Sequence, residues 1–215
     1  MMIKAIIFDL DGVLVSTDHF HYLAWKKLAD REGIEFDEKI NNRLRGVSRM
    51  ASLNIILEKA KRTYTPSQKE EMAHFKNEYY VSLIRRMTPE DVEPVVLHTL
   101  ETLKKRGLKL AVASSSKNAP LILKVTGLTS FFDVIVDGTM IKNSKPDPEV
   151  FLLAQKLLQA KKEEALVVED AVVGIEAAHQ GGMKAAAIKD ATKDEQADYL
   201  LSNLGDLLEI SGSVV

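Results

Sequence analysis

Lys4-Ala-Ile-Ile-Phe8 is a short run of apolar residues without polar alternation, closed at once by Asp9-Leu10-Asp11-Gly12. A strand of this kind has no solvent face, so it must be buried on both sides, as in a parallel sheet covered by helices. Three similar runs follow at Leu108–Ser114, Phe132–Asp137 and Ala165–Glu169, with a weaker one at Lys184–Ile188. Helical periodicity fills the intervals. Val96, Leu100 and Leu103 share a face that closes at Gly107. A second helix starts at Asp147-Pro148 and carries Phe151, Ala154 and Leu158. A third runs from about Val172 to Gly181-Gly182. Strands alternating with helices predict a doubly wound α/β core.

The interval from Ser16 to Thr88 breaks this rhythm and has no convincing strand. Ser16-Thr17-Asp18 can cap a helix that stops near Gly33. Thr65-Pro66-Ser67-Gln68 reads as a capping box with Pro in the first helical position. The helix it opens carries Met72, Phe75, Tyr79 and Leu83 and is expected to end at Pro89. The predicted organisation is therefore a core built from residues 1–15 and 89–215, interrupted by a small helical domain over 16–88. No internal repeat is present.

Composition narrows the function classes. The 215 residues are 46% hydrophobic and 28% charged, ordinary globular values for one large or two modest domains. Lys and Arg number 29 against 31 Asp and Glu, a net charge of −2, which argues against a nucleic-acid binder held by bulk charge. There is no cysteine, so disulfides, thiolate nucleophiles and Cys-based zinc sites are excluded. No apolar run approaches the roughly 18 residues of a membrane span. The apolar stretch Ala5–Phe8 is stopped by Asp9 and does not read as a signal peptide. The expectation is a soluble cytoplasmic protein with no membrane or nucleic-acid partner. The runs Lys104–Arg106 and Lys161–Glu164 read as solvated helix ends.

The residues able to carry chemistry lie at predicted strand ends, where ligands bind in open α/β sheets. Asp9 and Asp11, two apart in extended backbone, can face one site while Leu10 faces the core, and Gly12 permits a sharp turn. An Asp pair that merely caps a strand–loop junction is the alternative. Glu169-Asp170 closes another strand in the same way. Four converging carboxylates repel by roughly 4 kcal/mol per pair at 4 Å and an effective dielectric of about 20, so the cluster needs a cation. An all-oxygen set without His or Cys suits Mg²⁺. Two exposed acids before a helix is the alternative reading. Ser114-Ser115-Ser116-Lys117-Asn118 leads into a helix and suits phosphate, or else is an ordinary N-cap. Lys145-Pro146, in a loop, would offset both carboxylates and phosphate, unless it is simply solvated. His21 and Trp25 share a helix face by their i, i+4 spacing, and Trp25 also reads as plain core packing.

In order, Phe8-Asp-Leu-Asp-Gly-Val13, Ser114, Lys145-Pro146 and Glu169-Asp170 resemble the four motifs of the haloacid dehalogenase-like phosphotransferases. The helical segment resembles that family's cap, inserted after the first motif. Within the family the resemblance extends over nearly the whole chain to sugar-phosphate mutases: His21–Lys26 resembles their first cap helix, Arg45–Arg49 their substrate-specificity loop, and Lys76-Asn77 a cap lysine position. The resemblance implies Asp9 as phosphoryl-accepting nucleophile, Asp11 as general acid and base, and Ser114 and Lys145 as stabilisers of the phosphoryl oxygens. It implies Mg²⁺ on Asp9, Glu169, Asp170 and the Asp11 carbonyl. Thr17, His21, Trp25, Gly46, Val47, Ser48, Arg49, Ser52, Lys76, Ser116, Lys117 and Asn118 are implied to bind substrate.

The implied reaction interconverts β-D-glucose 1-phosphate and D-glucose 6-phosphate through an aspartyl phosphate. Glucose 1,6-bisphosphate would be the phosphoryl donor, and the protein a monomer acting on a small sugar phosphate. A sugar-phosphate phosphatase with the same core is the alternative, and a non-catalytic phosphate-binding module a remote one. Two departures from the family pattern are Ser16-Thr17-Asp18, where Asp-Thr or Asp-Ser is frequent, and Pro94-Val95-Val96, where Pro-Gly is usual.

Overall fold

The computed structural model describes residues 2–44, 48–193 and 196–212. The chain divides into two compact units, Met1–Ser16 with Met87–Val215, and Thr17–Arg86. Strand β1 (Ala5–Phe8) opens the first unit. The chain then forms the second unit from α1 (Asp18–Glu32), α2 (Glu38–Asn42), α3 (Arg49–Leu57) and α4 (Pro66–Ile84). It returns as α5 (Pro94–Lys105), β2 (Lys109–Ala113), α6 (Ala119–Val125), β3 (Val134–Val136) and α7 (Glu149–Leu157). The rest of the first unit is β4 (Ala165–Glu169), α8 (Val172–Gln180), β5 (Lys184–Ile188), β6 (Tyr199–Leu201) and α9 (Leu207–Ile210).

Among the described residues, six strands form one parallel sheet in the order β3-β2-β1-β4-β5-β6. Chain order runs outward from β1 in one direction and outward from β4 in the other. The crevice between β1 and β4 is therefore the switch point at which open α/β sheets bind ligands. Every residue of β1 and β4 is buried, as their unbroken apolar runs require. On one face, small strand residues such as Ala5, Ala111, Ala113, Ala185 and Ala187 let Phe151 of α7 and Ile175 of α8 pack close. On alternate residues, Ile6, Phe8, Leu110, Val112, Leu166 and Val168 are also fully buried, and Phe8 meets the Phe132 ring edge-on at 6.1 Å.

Strand β6 was not expected. Its three residues are largely uncovered, with only Leu201 buried, so periodicity says nothing. Tertiary bonds place it: the Asp198 amide donates to the Ala185 carbonyl at 2.9 Å, and the Asp198 carboxylate accepts from the Ala185 amide at 2.9 Å and pairs with His179 at 3.0 Å.

In the second unit, α1 buries Ala24, Trp25, Leu28 and Ala29 and ends at Gly33, whose φ of +66° is the left-handed closure glycine favours. These residues pack with Ile34, Phe36, Leu53, Ile56 and Met72 in a separate core. The capping box at Thr65 and Gln68 forms as expected, with Pro66 in the first turn.

Three expectations are corrected. Thr17 precedes α1 but does not cap it with its side chain; its hydroxyl is engaged with the Tyr80 hydroxyl at 2.7 Å. Helix α4 ends at Ile84, and Pro89 instead starts a separate 3₁₀ turn. The buried face of α4 is Met72, Ala73, Lys76, Tyr80 and Leu83, while Phe75 and Tyr79 are half-buried. The Pro94-Val95-Val96 departure leaves α5 starting at Pro94, with Val95 in its first turn.

Candidate active site

Strand register builds the centre of the site. Phe8 lies opposite Val168, and the Asp9 amide donates to the Val168 carbonyl at 2.9 Å. The next residues, Asp9 and Glu169, therefore leave adjacent strands side by side, about 4.8 Å apart by strand spacing. Asp170 follows, and carboxylate oxygens of Asp9, Glu169 and Asp170 all lie within 4.8 Å of one another. Glu169 is 1% exposed. Its Oε2 accepts from the Asp170 and Ala171 amides, each at 3.0 Å, at the start of α8.

Lys145, joined to Pro146 by a cis peptide bond, is not solvated. Its ammonium donates to Asp9 Oδ1 and to Glu169 Oε1 and lies 4.7 Å from the centre of the Phe151 ring. Burial disfavours the ammonium, but the two carboxylates outweigh that and hold the Lys145 pKa above its ordinary value. Glu169 is moved up, first by burial and against the pull of Lys145. Asp170 is pushed up to about 8, mainly by burial and then by repulsion from Glu169, Asp9 and Asp11.

Asp9 and Leu10 are both buried and Asp11 is half-buried. The chain then folds back, with the Gly12 amide donating to the Val15 carbonyl at 2.7 Å. Gly12 has φ of +88°, and a Cβ there would lie 2.0 Å from Asp170 Oδ2. Glycine thus serves both the turn and the approach of the carboxylate. The Asp11 carboxylate is not part of the close group of three; its expected share in metal binding is a main-chain carbonyl.

Beyond β2, Ser114 is buried and its Oγ accepts from the Ser116 amide at 3.1 Å, while Ser116 Oγ accepts from the Asn118 amide at 3.2 Å. Asn118 is the residue before α6 but makes no side-chain cap, and Lys117 is exposed. The loop is therefore wound by its own hydroxyls rather than built as an ordinary N-cap.

The donor set fits a hard divalent cation. Fully ionised, the three carboxylates and one ammonium carry two net negative charges, and repulsion from Glu169, Asp9 and Asp11 adds to burial in raising Asp170. A pH dependence follows. The unfolded chain releases the Asp170 proton near pH 4 and the folded, metal-free protein near 8. Between those values the folded state binds more protons, so metal-free stability should fall as pH rises from about 4 to about 8. Mg²⁺ at roughly 100 times its Kd should add about 2.7 kcal/mol, or about 5–10 °C in Tm for a chain of this size. The gain should be larger at pH 8 than at pH 5, and Asp170→Ala should remove most of it. Thermal melts with Mg²⁺ and with EDTA test this; indifference to both at pH 8 would exclude the cation site.

A second polar cluster lies within the helical unit. Lys76 is 2% exposed. Its ammonium is 2.8 Å from His21 Nδ1 and sits over the rings of Trp25 and Tyr80, at 4.7 and 4.5 Å from their centres. The His21 ring stacks on Tyr80 at 4.1 Å. Burial first, then the charges of Lys76 and Arg49, hold the His21 pKa well below its ordinary value, so the ring is neutral at pH 7. With Lys76 donating to Nδ1, the ring proton is on Nε2.

Arg49 is the first residue of α3 and donates to Asn77 Oδ1 at 2.8 Å. A cation at the positive end of a helix is unfavourable by itself and favours an anion beside it. Ser48 caps α3 by accepting from the Ala51 amide at 3.3 Å, and Ser52 is buried on the next turn. Gly46 and Val47 lie outside the described residues. Tyr80 is the group that sequence reasoning missed here; its position four residues after Lys76, on the same helix face, was the available signal.

A family model of haloacid dehalogenase-like hydrolases matches residues 3–182. The chain is 41% identical over 206 residues to a β-phosphoglucomutase of Bacillus subtilis, covering 95% of this chain and 91% of that protein. It is 33% identical over 184 residues to a phosphorylated carbohydrates phosphatase of Thermotoga maritima, covering 84% and 82%. The crystal structure of a β-phosphoglucomutase from Clostridium difficile superposes with a TM-score of 0.87 at 39% identity, covering 96% of this chain and 94% of that one.

Proposed function

The chain belongs to the haloacid dehalogenase-like hydrolase family, and from that premise we propose that it is a phosphosugar mutase interconverting β-D-glucose 1-phosphate and D-glucose 6-phosphate. The observation that carries this reading is the second cationic cluster. A hydrolase needs one grip on one phosphoryl group, and Asp9, Lys145 and Ser114 suffice for that. Buried Lys76, neutral His21 and Arg49 add a second group of phosphate- and hydroxyl-seeking donors in the helical unit.

In this reading Asp9 attacks the phosphorus of glucose 1,6-bisphosphate, and the P–O bond to the sugar breaks as the aspartyl phosphate forms. Asp11 gives its proton to the departing sugar oxygen and takes one back when the opposite hydroxyl attacks. Lys145 and the Ser114 hydroxyl carry the charge of the transferring oxygens. Mg²⁺, held by Asp9, Glu169, Asp170 and the Asp11 carbonyl, would supply the remaining charge neutralisation. Arg49 and Lys76 hold the other phosphate, and His21 Nε2–H, Ser116, Lys117 and Asn118 meet sugar hydroxyls or phosphate oxygens. Thr17 positions Tyr80 and through it the His21 ring. The protein is proposed to act in the cytoplasm as a monomer; among the described residues no helix is long and apolar enough to cross a membrane.

A phosphatase reading is kept because of the Thermotoga maritima relative. Phosphorus NMR on β-glucose 1-phosphate with Mg²⁺ and catalytic glucose 1,6-bisphosphate separates the two: glucose 6-phosphate supports the mutase, inorganic phosphate alone the phosphatase. Arg49→Ala sharpens the test. A charge-assisted bond to phosphate is worth roughly 1.5–3 kcal/mol, about 10- to 150-fold in rate. Mutase kcat/KM should fall by at least about tenfold, while hydrolysis of a small aryl phosphate on the same preparation changes little. Equal losses in both assays would remove the distal-phosphate role.

A further inference from the structure

Gly174 is the third residue of α8, in its first turn and with no positive φ, where alanine is the better helix former. Neither the turn chemistry nor the helix itself asks for glycine. Space does. A Cβ at 174 would lie 2.0 Å from Glu169 Cδ, 2.1 Å from Oε1 and 2.5 Å from Cγ.

We infer that Gly174 is a positioning residue for Glu169. The missing side chain is the volume into which the Glu169 carboxylate folds back. That fold puts Oε2 against the Asp170 and Ala171 amides and aims Oε1 at Lys145. A free surface glutamate would swing aside from a methyl group. Glu169 is buried and tied by these bonds, so a methyl at 174 displaces the carboxylate from Lys145 and from the other two carboxylates together. Gly174 therefore acts on the site through Glu169 without touching the reacting atoms. The inference rests on the metal role proposed for Glu169 only in its second readout below.

The test is a double-mutant cycle on the full chain, read first in EDTA. Helix propensity alone makes Gly174→Ala raise Tm. The displacement makes it lower Tm, by at least about 4 °C. In a Glu169→Ala background the obstacle is gone, and Gly174→Ala should leave Tm unchanged or raise it. With Mg²⁺, Gly174→Ala alone should raise the apparent Kd, read from the Tm titration, and lower aryl-phosphate kcat, each by at least about tenfold. A lowered Tm of equal size in both backgrounds would show that Gly174 serves helix packing, and the inference would fall. Wild-type Tm and Mg²⁺ affinity in Gly174→Ala would overturn it as well. If Gly174→Ala alone does not fold, a folded double variant supports the inference and an unfolded one overturns it. If Mg²⁺ fails to stabilise even the wild-type chain, the metal reading is lost, while the reversal of sign in EDTA still decides the role of Gly174.

Discussion

Asp9→Asn is expected to lose turnover by about 10⁴-fold or more, on sugar phosphate and on aryl phosphate alike, with the fold intact. The amide keeps the shape of the carboxylate and its oxygen can still accept from Lys145, but it cannot take up a phosphoryl group. The variant should gain stability in EDTA, not lose it. The Asp9 charge repels both Glu169 and Asp170, so its removal relieves the cluster and should bring the Asp170 pKa down from about 8. Steady-state rates, circular dichroism and melts in EDTA test the three parts. A folded variant that retains more than a few per cent of activity would show that another group is the nucleophile.

Lys145→Ala should be the most damaging change to the fold of the site. The side chain of Lys145 is 10% exposed and that of Glu169 1%, so removing the ammonium leaves Asp9 and Glu169 facing each other away from water. Breaking a buried pair on one side costs about 3–5 kcal/mol, on the order of 10 °C in Tm here. The Lys145 pKa is held above its usual value by its partners. Its contribution is therefore fully present below the unfolded lysine pKa of about 10.4 and is lost only above it. In the variant, the loss should be smaller at pH 5 than at pH 8, because at the lower pH a carboxylate can take a proton instead. Mg²⁺ should return part of the stability at pH 8 but little of the turnover. A variant with wild-type Tm at pH 8 would show that the ion pairs of Lys145 contribute nothing.

The parts of the molecule legible in the sequence are those fixed by short stretches of chain. β1 and β4 announce themselves because burial on both faces demands an unbroken apolar run. The helix of Thr65–Gln68 does so because its cap chemistry is local. Asp9 and Glu169 could be set at strand ends, and parallel register then made them neighbours.

What stayed hidden depended on contacts between distant residues. β6 is held by Asp198 reaching Ala185 and His179. The inward face of α4 is turned by Lys76 and Tyr80, and the weak amphipathicity of that helix pointed instead to Phe75 and Tyr79. Thr17 looked like a cap because Ser-Thr-Asp sequences often are, but its hydroxyl is committed to a tyrosine 63 positions later. Gly174 left no mark because one glycine in an alanine-rich helix carries no pattern; only the position of Glu169 explains it.

The placement of β1 has a consequence for how the chain becomes an enzyme. Ala5 is bonded in register with Lys109 on one side and Ala165 on the other, so β1 is far along the chain from both strands that flank it. The helical unit, continuous from Thr17 to Arg86 with a core of its own, can collapse while β1 still waits. Asp9, Lys145 and Glu169 are brought together only when β4 docks. Asp9 meets the Lys145 ammonium only in the assembled sheet, so burying it earlier would leave its charge unpaired.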